Sequence, residues 1–173
     1  MSNLDSNMAI RKILLLGDPR LYEKSEPVAQ DELTELQSVV TDLHDTMSDF
    51  RERYGAGRAI AAPQIGVFKR LIYMHIDRPV IIINPALSDL SEEMIELWDD
   101  CMSFPDLLVK VRRHKSCTIR FRDLDWQEQT LSLTDDISEL LQHEYDHLDG
   151  VLAVQRAIDD KSFALRSERG LLK

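Results

Sequence analysis

Three features of the sequence predict an α+β fold. One long helical repeat lies early in the chain, a series of short β-branched or alternating segments follows it, and a second helix lies near the end. Helices and strands are grouped rather than alternating as βαβ units, which argues against a parallel α/β sheet. Residues 1–9 read as a polar, flexible arm, and the apolar run Ile10–Leu16, closed by Gly17-Asp18-Pro19, as a short strand or extended entry segment. From Asp31 to Arg53, Leu33, Leu36, Val39, Val40, Leu43, Met47 and Phe50 recur at spacings of three and four, which is one apolar face of a helix. Asp31 is the expected N-cap, and Gly55 and Gly57 lie just past the end. His44 falls on the polar side of the stripe and reads as a surface histidine.

Strands are expected at Leu71–Ile76 and Val80–Ile83, separated by the turn Asp77-Arg78-Pro79, with Asn84-Pro85 ending the second. Glu92–Leu97 and Leu107–Arg112 bracket a loop that contains Asp99-Asp100-Cys101. Ser116–Asp123 alternates Cys117, Ile119 and Phe121 against polar neighbours, and Thr130–Leu133 is placed to pair with it across a polar turn. The second helix begins near Thr134-Asp135 and runs to about Asp146, and residues 159–173 read as a helical tail. No linker or repeat divides the 173 residues, so one domain spanning 1–173 is expected.

Composition restricts the function. Twenty-one Lys and Arg against 31 Asp and Glu leave a formal charge of −10, which disfavours a nucleic-acid-binding face or adhesion to an anionic membrane. With 43% hydrophobic and 30% charged residues the chain suits a globular protein, and two cysteines are too few for a disulfide scaffold. No apolar run approaches the about 18 residues of a membrane span, and the first residues carry no signal-peptide pattern, so the expected setting is a reducing cytoplasm.

The segment Gln142-His143-Glu144-Tyr145-Asp146-His147 carries the chemistry. Residues four apart stack on one helix face, so this His-Glu-x-x-His pattern (HExxH) lets His143 and His147 reach one metal ion, with Glu144 beside it as a base for water. A solvated helix face with two histidines is the competing reading of so short a pattern. A catalytic site needs a third ligand and an open position. Cys101, in a loop, is the better candidate, because Cys117 alternates with buried apolar residues. Such a Cys/His/His set suits zinc or ferrous iron.

Beyond these residues the chain resembles the peptide deformylase family over roughly residues 10–155, on three motifs in order. Gly57-Arg58-Ala59-Ile60-Ala61-Ala62-Pro63-Gln64 is similar to G-x-G-x-A-A-x-Q, Asp99-Asp100-Cys101-Met102-Ser103 to E-G-C-x-S, and Gln142–His147 to Q-H-E-x-D-H. The resemblance implies short antiparallel strands around a central metal-binding helix, and an enzyme that removes the formyl group from the N-terminal methionine of nascent polypeptides, releasing formate. It implies one divalent metal ion, natively Fe2+ with Zn2+ or Ni2+ also fitting, held by Cys101, His143 and His147, and catalysis by Glu144, Gln64 and the backbone N–H of Met102. It implies a bacterial-type cytosol near the ribosome, with no direct nucleic-acid or membrane contact, and leaves the oligomeric state open.

Departures from the motifs bear on substrate. Ala59 replaces a glycine beside Ile60 in the loop whose backbone pairs with peptide in this family, and Asp99 and Asp100 replace glutamate and glycine. Asp100 either changes the charge beside the metal ligand or points outward as a solvated acid. Asp136 and Glu139, two turns and one turn before His143 and flanked by Leu140, either acidify the side-chain pocket or merely favour the helix N-terminus. Ala59, Ile60, Asp99, Asp100, Glu139 and Leu140 are therefore the candidate substrate-binding residues. Two further functions stay open beside deformylation: an amidase with altered N-acyl or side-chain specificity, and a non-catalytic metal-binding relative.

Overall fold

The computed structural model describes residues 9–173, and the arm expected over 1–9 lies, apart from Ala9, outside them. The first helix, α1 (Leu33–Tyr54), buries Leu36, Leu43, Met47 and Phe50, the centre of the expected stripe. It closes at Gly55, whose φ of 66° provides the left-handed cap that returns its N–H to the Arg51 carbonyl. Its start differs from expectation. Asp31 is not the cap; it lies in a 3-10 turn, Gln30–Glu32, and the Glu32 carboxylate accepts the Ala29 N–H at 2.7 Å. His44 is half-buried rather than a free surface residue, because its Nδ1 lies 2.7 Å from the Tyr73 hydroxyl.

Eight strands lie among the described residues, and two of them, Ala59–Ala61 and Phe163–Leu165, were not expected as strands. Ala59–Ala61 (β1), Leu71–His75 (β2), Pro79–Ser88 (β3), Ser116–Arg122 (β6) and Glu128–Thr134 (β7) form an antiparallel sheet in the order β1-β2-β3-β6-β7. Met94–Asp100 (β4), Leu107–His114 (β5) and Phe163–Leu165 (β8) form a second, in the order β4-β5-β8. In β2 the run Leu-Ile-Tyr-Met is buried on both faces. Leu71 and Tyr73 pack with α1, and Ile72 and Met74 pack with the second helix, α2 (Asp135–Leu148). The alternation of β1 follows the same rule, with Ile60 toward α1 and Ala59 and Ala61 toward Leu140, Leu141 and Leu148 of α2.

Three expectations are corrected. Asn84-Pro85 does not end β3; it forms an irregularity within it, between Ile83 and Ala86. Proline has no N–H for the ladder, and Asn84, at φ 50°, instead exchanges two 2.8 Å hydrogen bonds with the Val28 backbone. Asp99 and Asp100 belong to β4, paired with Val109 and Leu108, so only Cys101 lies past the strand end. The tail is not helical throughout: Phe163–Leu165 pairs with Leu107–Val109, and a 3-10 turn, Arg166–Leu171, follows. The unpaired edge of β5 recruits this segment, which an amphipathic reading of so polar a stretch does not reveal. Among the described residues no helix is long and apolar enough to cross a membrane.

Candidate metal centre

Helix α2 presents His143 and His147 one turn apart while its apolar face enters the sheet. Their Nε2 atoms lie 3.2 Å from each other, and the Cys101 Sγ lies 3.4 Å from that of His147. All three side chains are buried, and their donor atoms fall within 4.8 Å of one another. Two imidazole nitrogens and a sulfur converging on one point is an arrangement a divalent cation satisfies. Cys117 is buried apart from the site against Ser138, 3.4 Å away, and burial pushes its thiol up.

The surroundings of this cluster fix its orientation. His143 Nδ1 is 2.8 Å from Asp99 Oδ2, which frees Nε2 for a metal. Asp99 thus engages His143 while also bordering the cavity beside the cluster. Arg113 Nη2 approaches the same oxygen at 3.1 Å, and its Nη1 donates to Asp146, which also takes Arg156 through Nε at 2.6 Å and Nη2 at 2.7 Å. Burial opposes the charge on Asp99, but His143 and Arg113 outweigh it and hold the carboxyl below its usual range. Burial lowers His147, and the neighbouring His143 charge lowers it further. Gln142 pins the helix to the end of β5, accepting the His114 N–H at 3.0 Å and donating to the His114 carbonyl at 2.8 Å.

Arg113 and Arg156 were not singled out in the sequence. For Arg113 the available signal was a charged residue in register with Val109 and Val111 on the inward face of β5, which must find buried partners.

Glu144 is 4% exposed, and its Oε2 meets no protein donor among the described residues. Burial, with Asp99 and Glu139 adding to it, pushes the carboxyl up to about 7. Gln64, in the 3-10 turn Ala62–Ile65, accepts the Ala61 N–H on Oε1 at 3.0 Å. That bond turns its Nε2 toward Ser103 Oγ at 3.2 Å and Cys101 Sγ at 3.6 Å, so it borders the candidate site as well as closing the turn. The extended entry segment ties the two loops together, Leu14 N–H donating to the Gln64 carbonyl and Leu16 N–H to that of Ser103, both at 2.8 Å.

A cavity of about 350 Å³ opens beside the cluster, and Ala59, Asp99, Asp100, Glu139 and Leu140 line it together with Cys101, Met102, His143 and Glu144. Ile60 is the one candidate substrate residue that does not reach it; fully buried, it belongs to the core beneath α1. Asp100 does not point freely outward, because Arg166 Nη2 donates to it at 2.9 Å from the C-terminal turn. Asp136 and Glu139 do more than favour the helix start: they hold Arg58, at 3.1 and 2.9 Å.

The comparisons agree with this arrangement. The family model described as polypeptide deformylase matches residues 10–163. A peptide deformylase of Pseudothermotoga lettingae is 37% identical over 160 residues, 92% of this chain and 90% of its own. A Brucella melitensis protein described as peptide deformylase-like is 39% identical over 153 residues, 86% of this chain and 89% of its own. The crystal structure of a peptide deformylase from Legionella pneumophila superposes with a TM-score of 0.77 at 36% identity, covering 86% of each chain. With nearly its whole length matched and a buried Cys/His/His cluster in place, the chain belongs to the polypeptide deformylase family.

Proposed function

We propose that this deformylase removes the N-formyl group from nascent polypeptides through one metal-assisted centre in which Cys101, His143 and His147 hold a single divalent cation. When bound, the cation supplies Lewis acidity and lowers the pKa of water at the site. The soft thiolate with two imidazoles suits ferrous iron, the native metal in this reading, and accepts zinc or nickel.

The remaining work falls to the protein. Glu144 takes a proton from the attacking water on Oε2 and returns it to the departing amine nitrogen. The Gln64 Nε2–H and the Met102 backbone N–H donate to the formyl oxygen as it becomes negative; Gln64 is held by the Ala61 N–H before substrate arrives and does not have to reorganise during the reaction. Asp99 keeps His143 in the tautomer that ligates. The backbone of Ala59, at the cavity edge, and of Ile60 next to it pairs with the peptide. The enzyme meets formylated chains in the cytosol as they leave the ribosome, and the 173 residues act as one domain.

The observation that carries this reading is the unpartnered, buried Glu144 oxygen beside three converging metal donors. Neither a structural zinc site nor a scaffold requires an orphaned carboxylate there. The test is formate release from formyl peptides by protein loaded anaerobically with one metal at a time. Turnover that depends on metal and on Glu144 supports the mechanism, and equal hydrolysis by metal-loaded Glu144→Ala overturns it.

A further inference from the structure

The loop between β4 and β5 carries three pieces of the site. Cys101 brings the sulfur donor, Met102 the backbone N–H assigned above to the formyl oxygen, and Ser103 Oγ lies 3.2 Å from Gln64 Nε2. One residue of the C-terminal segment is bonded to both ends of this loop. Arg166 Nη2 donates to Asp100 Oδ2 at 2.9 Å, and its Nε donates to the Pro105 carbonyl at 2.6 Å. Its backbone N–H donates to the Asp106 carbonyl at 2.8 Å, just past the last β5–β8 pair, Leu107 with Leu165. Among the described residues the Pro105 and Asp106 carbonyls accept no other hydrogen bond. Asp100 stands where the family motif carries glycine, and Arg166 lies beyond residue 163, where the family match ends. Two departures from the family pattern therefore meet in one ion pair.

We propose that Arg166, through Asp100 and the Pro105 carbonyl, is a clamp that positions Cys101 and the Met102 N–H. The inference rests on the function proposed above for the role of Met102, and on the Cys101, His143 and His147 cluster for the rest. A guanidinium is a rigid planar fork, so bonds from Nε and Nη2 fix how far apart their two acceptors lie. Here those acceptors flank the buried residues Cys101, Met102, Ser103 and Phe104. Asp100 is already fixed by its pairing with Leu108 in β5, and Arg166 follows directly on β8. The fork extends the order of the three-stranded sheet to a loop that has no strand partner of its own, and a site on a loop is only as precise as the contacts that support it. With the fork removed, the Pro105 end is released. Cys101 Sγ then leaves the point where it meets the two imidazoles, and the Met102 N–H moves with it. Arg166 acts through the loop, as a positioning residue.

The test measures Zn2+ affinity against a chromophoric chelator, alkylation of Cys101 and Cys117 in the metal-free protein by mass spectrometry, and kcat and KM for formyl-Met-Ala-Ser. Arg166→Met and Asp100→Asn change the local charge in opposite directions but open the same clamp. Both weaken zinc binding roughly tenfold. Both speed alkylation of Cys101 several-fold while Cys117 keeps the parent rate. Both lower kcat by roughly 10- to 100-fold, with a smaller change in KM. The double variant is no weaker than Arg166→Met alone, because that single change already frees both ends. Arg166→Gln, which keeps one donor, falls between the parent and Arg166→Met and carries the test if the methionine variant does not fold. Tighter or unchanged zinc binding in the Arg166 variants, the result of charge alone, overturns the inference. So does acceleration of Cys117 together with Cys101, the mark of general loosening, or an equal loss in Arg169→Met, which removes another charge from the same cavity. No formate from the unmodified protein overturns the proposed function instead, and zinc affinity with the two thiol rates then still decides the clamp.

Discussion

Replacing Asp99 with asparagine keeps the side chain's volume and removes its charge from a site where Asp99 is 4% and Arg113 3% exposed. Two bonds change character, the 2.8 Å contact with His143 Nδ1 and the 3.1 Å contact with Arg113 Nη2. A hydrogen bond to a charged group is worth about 1.5–3 kcal/mol. Loss of that assistance on the ligand side corresponds to roughly 10- to 100-fold weaker metal binding, as for other partners of metal-bound histidines. Arg113 retains Asp146, so the folding cost stays below the roughly 3–5 kcal/mol of a buried charge left wholly unpaired. Competition against a chromophoric chelator measures the first quantity and urea unfolding of the metal-free protein the second. An Asp99→Asn protein that binds metal as tightly as the parent would refute the assignment of Asp99 as the positioning residue for His143.

Three other outcomes are expected. Glu144→Gln retains one metal per chain but loses roughly 100- to 10,000-fold in turnover, measured as metal content and formate release on the same preparation. In the metal-free protein, native Glu144 holds a proton up to about pH 7 that an ordinary carboxyl releases near 4.5. At this carboxyl the native state then binds more protons than the unfolded chain, so the contribution of Glu144 to stability falls as pH rises across that interval. The same Glu144→Gln substitution removes this slope, which urea midpoints across the interval report; an identical slope in the variant counts against the buried-proton argument. Gly150→Ala costs roughly 2–4 kcal/mol, because a Cβ there would lie 2.4 Å from the Tyr22 carbonyl oxygen at a φ of 70°. Denaturant unfolding checks this, and a cost under about 1 kcal/mol would contradict the close approach.

Periodicity determined much of the architecture from sequence alone. The three-and-four spacing of α1, the alternation around Cys117, and the pairing of β6 with β7 follow from local pattern, because burial acts on each element with its own repeat. The metal donors were legible for the same reason: four-residue spacing on a helix places His143 beside His147, and a cysteine just past a strand can meet them. Element ends were less legible where distant backbone supplied the bonds, as for Asn84 on Val28 or β8 on β5.

Tertiary structure alone decided the charges around the site. The sequence shows an excess of acids near the metal ligands without their partners, which come from 14 to 81 residues away. Arg113 turns Asp99 into a support for His143, Arg166 draws Asp100 to the C-terminal turn, and Arg58 joins Asp136 and Glu139 across the cavity wall. Ligand spacing is a property of one helix, whereas the partner of a buried charge depends on which strands the whole fold brings against it.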